Sequence, residues 1–119
     1  DASTRLIIVA DPSKICSHLT GPIPIEIIPF SFSHVIRRLN EMGRAVTVRE
    51  GVKKDGPVIS DNGNIILDYT PVSIADPMAL ETAINMIPGV VSCGIFAEFT
   101  EKTTVIIGEE NGPRIIGLP

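Results

Sequence analysis

PIPIEIIPFSFSHVIRRLNEMG, residues 22–43, changes its period halfway along, and that change sets the fold. In the first half Ile25, Ile27 and Ile28 flank Glu26. Pro24 and Pro29 mark the ends of a strand, because proline has no N–H to give a ladder. In the second half Phe32, Ile36 and Leu39 recur at i, i+4 and i+7, joined by Val35 and Met42. Arg37, Arg38, Asn40 and Glu41 fall largely opposite. This is an amphipathic helix, with Ser31 as N-cap and Gly43 in the C-cap position. His34 lies on that helix among apolar neighbours, where packing or capping is the commoner role.

Downstream, Arg44–Gly51 alternates Val46 and Val48 with Thr47 and Arg49, the pattern of a half-buried strand. A loop at Lys53–Gly56 and a dense turn signal at Ser60–Asn64 follow. Ile65–Tyr69 reads as the next strand. Asp76 and Pro77 then open a helix as N-cap and first residue, with Met78, Leu80, Ala83, Ile84 and Ile87 supplying its apolar positions. Pro88–Gly89 ends it, and Val90–Glu98 is another strand. Residues 22–98 therefore spell strand, helix, strand, strand, helix, strand, the ferredoxin-like split βαβ order.

Pieces at both ends are left over. Arg5–Ala10 is a continuous apolar run, as in a parallel strand buried on both faces. Asp11–Pro12–Ser13 breaks it, a helical turn is expected at Ile15–Leu19, and Gly21–Pro22 stops the chain. Thr103–Gly108 and Arg114–Leu118 read as a hairpin through Asn111–Gly112. These strands look like the edges of a second sheet, most of which lies elsewhere. The fold class is α/β (α+β).

The 119 residues suit one compact domain that buries roughly 65% of its unfolded surface. Hydrophobic residues make up 44% and charged residues 20%, ordinary for a soluble globular chain, and the net charge is −4. Arg37–Arg38 and Lys53–Lys54 are the only basic pairs, so no nucleic-acid footprint is expected. No apolar run approaches the ~20 residues of a membrane span, and no signal peptide is visible. Cys16 and Cys93 are too few for a disulfide framework, and the two histidines show no zinc-ligand spacing. A cytoplasmic protein with reduced thiols and no bound metal is the expectation.

Candidate chemistry is sparse. VADPSK, residues 9–14, puts Lys14 just past the C-terminal end of a parallel strand, where open α/β sheets hold ligands. An ammonium there suits a phosphate or sugar oxygen, although an ordinary surface lysine is the commoner case. The Ser60–Asn64 segment lacks the spacing of a calcium loop and reads as a turn. Asp11 and Asp68 are not brought together by anything in the sequence. His18 is a lone histidine, Cys93 reads as a buried structural thiol, and glycine-rich phosphate loops are absent.

Taken together, IIVADPSK, PIPIEIIPF, ISDNGNIILD and ADPMALETAINMIPGVVSCGIFAE resemble the C-terminal half of type A ribose-5-phosphate isomerases, in order and over nearly the whole chain. The resemblance implies interconversion of ribose 5-phosphate and ribulose 5-phosphate through an enediolate, in the non-oxidative pentose phosphate pathway, without a cofactor. It implies that residues 1–21 and 99–119 are pieces of a Rossmann-like catalytic domain, and that 22–98 form a ferredoxin-like lid that also associates subunits into a homo-oligomer. The family's glutamate base and paired aspartates lie upstream of VADPSK, so no catalytic residue is expected here. Lys14 falls on the substrate-contacting lysine, and KKDG at Lys53–Gly56 is an insertion-like departure. The competing expectation is a free-standing ferredoxin-like module that binds a ligand or a partner without catalysis.

Overall fold

The computed structural model describes residues 2–53 and 55–117. Leu118, the expected end of the last strand, and Lys54 of the KKDG loop lie outside the described residues. The chain divides into two compact units: Asp1–Leu19 with Phe96–Pro119 (unit 1), and Thr20–Ile95 (unit 2).

Unit 2 runs β2 (Ile23–Ile27), α1 (Phe32–Met42), β3 (Gly43–Val48), β4 (Ile65–Pro71), α2 (Pro77–Asn85) and β5 (Val90–Cys93). Its four strands form an antiparallel sheet in the order β3-β4-β2-β5. Alternation along the strands divides the sheet into two faces. Ile23, Ile25, Ile27, Leu67, Tyr69 and Cys93 are buried on one face. Val35 and Leu39 of α1, Ile84 of α2 and Ile87 just beyond it complete this core.

Several expectations change here. Pro24 does not end β2; it lies within it, opposite Asp68. Its carbonyl accepts from the Gly94 N–H (2.8 Å), past the last residue of β5, so its nitrogen faces a position where no ladder donor is required. Gly94 has no Cβ because one would overlap the Pro24 ring. β5 stops at Cys93 rather than running on to Glu98, and Ala97–Lys102 is a 3-10 segment. Ser31 does precede α1, but its hydroxyl donates to the Ile28 (2.7 Å) and Gly89 (3.3 Å) carbonyls instead of capping the helix. Gly43 closes α1 with extended backbone, φ −147°. It is glycine for space, since a Cβ there would meet the Tyr69 ring. In α2, Asp76 caps as expected, its Oδ1 accepting from the Ala79 N–H at 3.0 Å. Met78 and Ala83 are exposed, however, and Glu81 is buried in their place.

Unit 1 is a three-stranded sheet in the order β1-β6-β7, from β1 (Leu6–Ala10), β6 (Thr103–Glu109) and β7 (Gly112–Ile116). β1 and β6 are parallel, and β6 and β7 form an antiparallel hairpin. Glu109 pairs with Gly112, so the turn residues are Glu110 and Asn111, one position earlier than expected. The helical turn expected at Ile15–Leu19 falls instead on Pro12–Lys14, where proline begins it and Asp11 caps it. β1 is not buried on both faces: Ile7, Ile8 and Val9 are all exposed, Val9 by 73%. Among the described residues no α-helix belongs to this unit; β7 is exposed along its length, whereas Thr104 and Ile107 of β6 are buried.

Candidate functional site

β1 delivers the chain to the Pro12–Lys14 turn at its carboxyl end, and Lys14 is exposed there. The turn is built from short-range bonds. Asp11 Oδ1 accepts from the Ser13 N–H at 2.9 Å and also from the Ser13 hydroxyl. The Lys14 N–H donates to the Asp11 carbonyl at 3.1 Å, and the Ile15 N–H to that of Pro12 at 3.2 Å. The Ser13 hydroxyl and amide hold the Asp11 carboxyl below the usual carboxylate range, with the Lys14 charge adding to the effect. The Asp11 and Lys14 charges attract without forming a direct ion pair. Elsewhere in unit 1 the same sheet carries an apolar hollow of about 210 Å³, lined by Leu6, Ile8, Phe96, Val105 and Ile116.

The open face of the unit 2 sheet holds a polar cluster that pattern reading missed. Glu26 projects from the central strand β2, and its Oε1 accepts from Ser60 Oγ at 2.6 Å and Asn64 Nδ2 at 3.0 Å. Ser60 Oγ in turn accepts from the Asn64 N–H at 3.1 Å. These donors, Ser60 first, hold the Glu26 carboxyl below its ordinary value. The signal in the sequence was a lone carboxylate flanked by isoleucines. Beside this cluster Arg49 makes two bonds to Asp68, 3.1 and 2.5 Å long, which raise the already high arginine value.

The remaining candidates make local contacts. Asp11 and Asp68 are each engaged within their own unit, by Ser13 and Arg49. Cys93 is buried, and burial pushes its thiol up, with nearby Glu81 adding to the shift. His34 Nδ1 lies 3.4 Å from Arg37 Nη2, and His18 Nδ1 lies 3.2 Å from Ser17 Oγ. Among the described residues no three His, Cys, Asp or Glu side chains gather to hold a metal ion, and no helix is long and apolar enough to cross a membrane.

A mixed α/β chain with two sheets, and a lysine exposed past the carboxyl end of a parallel strand, has the layout in which open α/β sheets hold anionic ligands. Comparison with known proteins narrows this class. The profile of the family described as ribose 5-phosphate isomerase A (phosphoriboisomerase A) matches residues 1–112. Ribose-5-phosphate isomerase A of Methanoregula boonei is 42% identical over 118 residues, covering 99% of this chain and 50% of that protein. The solved structure of ribose 5-phosphate isomerase A from Methanocaldococcus jannaschii superposes with a TM-score of 0.85 at 40% identity, over 96% of this chain and 50% of that one. A D-ribose-5-phosphate isomerase in complex with phospho-erythronic acid gives 0.83 at 38% identity, with the same coverage. The chain belongs to the ribose 5-phosphate isomerase A family, and it spans about half the length of the relatives it matches.

Proposed function

We propose that this chain forms the C-terminal half of a ribose-5-phosphate isomerase. The enzyme interconverts ribose 5-phosphate and ribulose 5-phosphate through an enediolate, in the non-oxidative pentose phosphate pathway. Such a reaction needs a carboxylate base with a tuned pKa and donors for the developing oxyanion, and no cofactor. The base comes from the half that the relatives possess beyond this match. Lys14 contacts the phosphorylated pentose. Unit 1 contributes its strands to a Rossmann-like catalytic domain, and residues 22–98 act as a ferredoxin-like lid that also associates subunits into a homo-oligomer in the cytoplasm.

The observation that carries this reading is the placement of Lys14, exposed at the carboxyl end of a parallel strand in a chain of this family. The open faces of β1 and β7 support it too, because a free-standing module would leave them unlayered.

The test is an aldose–ketose assay with ribose 5-phosphate. The 119-residue chain is expected to give no turnover, and the full-length polypeptide to turn over. In the latter, Lys14→Ala lowers kcat/KM by the equivalent of about 1.5–3 kcal/mol, one charge-assisted hydrogen bond. Unchanged kinetics would remove Lys14 from the site, and enzyme-like turnover by the 119-residue chain would place the base within it.

A further inference from the structure

We propose that Asp11, acting through Ser13, is a positioning residue that fixes the backbone presenting Lys14 to substrate. The inference rests on the reading of Lys14 as a substrate contact.

The turn that carries Lys14 contains no buried residue. Packing therefore does not hold it, and hydrogen bonds must. Proline at position 12 fixes one φ and has no N–H to contribute. Among the described residues the side-chain bonds of the turn run between Asp11 and Ser13. Its Oδ1 gathers both donors of Ser13, the amide at 2.9 Å and the hydroxyl. The Asp11 carbonyl then receives the Lys14 amide at 3.1 Å. The middle and the end of the turn are thus tied to one residue, and the Lys14 Cα is placed before its flexible stem begins.

The carboxylate does this without capturing the ammonium. It is engaged by Ser13 and makes no ion pair with Lys14, three residues on. An acid that instead paired with Lys14 would compete with an anionic ligand. Asp11 keeps a negative charge near the lysine yet leaves its head group available. A long cation on an unpacked turn gains most from such a tie, because a donor placed in advance has less freedom to lose when it binds.

The experiment is a double-mutant cycle in the full-length polypeptide, read by steady-state kinetics with ribose 5-phosphate. Asp11→Ala is expected to lower kcat/KM roughly 5- to 20-fold, in the same parameter, KM or kcat, that Lys14→Ala changes. Asp11→Asn keeps an oxygen that accepts from Ser13 and is expected to restore most of the loss. Asp11→Ala added to Lys14→Ala should cause almost no further loss, since the residue acts through the lysine.

An equal loss on both backgrounds would show that Asp11 acts independently of Lys14 and would overturn the proposal. So would an Asp11→Asn variant as damaged as the alanine, because charge rather than the Ser13 bond would then matter. An Asp11→Ala variant with unchanged kinetics would do the same. If Lys14→Ala alone has no effect, the substrate-contact reading fails and the proposal falls with it. That outcome is distinct from a Lys14 loss that Asp11 does not share.

Discussion

The two sheets of this chain contrast in how they are covered. In unit 2 the strands alternate, one face apolar under α1 and α2 and one face polar, with Glu26, Thr47 and Asp68 outward. In unit 1 both faces of β1 are apolar, the half-buried Leu6 and exposed Ile8 on one side and the exposed Ile7 and Val9 on the other. An alternating strand needs one partner layer, and a continuously apolar strand needs two. Unit 2 contains its helical layer, whereas in unit 1 the middle of β1 and all of β7 stay exposed and, among the described residues, burial is confined to Thr104 and Ile107 of β6. The difference separates a sheet with its own helical layer from one without.

Leu39→Ala should have the largest effect on stability, because Leu39 is fully buried under the unit 2 sheet. Truncation there costs roughly 2–5 kcal/mol, read as a shift in the urea midpoint. Val9→Ala in the same 119-residue chain should stay within about 0.5 kcal/mol. A Val9 loss approaching that of Leu39 would mean that unit 1 is covered after all, and the contrast would break.

Gly43→Ala comes next. The new Cβ would sit 2.7 Å from Tyr69 Cζ, and overpacking of this kind costs about 1–3 kcal/mol. A thermal midpoint equal to that of the parent would show that the ring moves aside.

Asp76→Ala removes the α2 cap and should cost about 1 kcal/mol, with no change in chemistry. An unmoved denaturation midpoint would rule out the cap.

Glu26 gives the smallest effect at neutral pH, and it sharpens the comparison by testing the polar face. Its carboxyl is held below the usual 4.5, so the charged form stabilises the folded state. That contribution is complete above 4.5 and fades as pH falls through the lower folded value. Glu26→Gln should therefore lose stability less steeply than the parent on acidification below 4.5. Parallel curves of midpoint against pH would exclude the Ser60–Asn64 clasp as a contributor.

Period and punctuation made most of unit 2 legible. The Phe32–Leu39 spacing and the Asp76–Pro77 pair located both helices, because helix faces and caps are local features. What escaped depended on residues distant in sequence. Pro24 is tolerated in a central strand only because β5 ends beside it. Gly43 answers to Tyr69, and Gly94 to Pro24. Glu26 reads as an isolated charge until the 60–64 turn folds over it. At the candidate site Lys14 was visible from its place after an apolar strand. The Asp11–Ser13 bonds were not, since a D-P-S triplet reads first as a strand breaker.

The antiparallel pairing of β2 with β5 has a consequence for how the chain folds. The first and last strands of unit 2 are neighbours, tied where Gly94 meets the Pro24 carbonyl. β1 and β6, parallel partners in unit 1, are separated in sequence by roughly ninety residues, and closing a loop of that length carries an entropy penalty that grows with its logarithm. Once unit 2 has formed, that long loop shrinks to the two short tethers leading into it. A distant and slow strand pairing becomes a nearly local one. Folding of unit 2 ahead of unit 1 would thus shorten the loop that the β1–β6 pairing has to close.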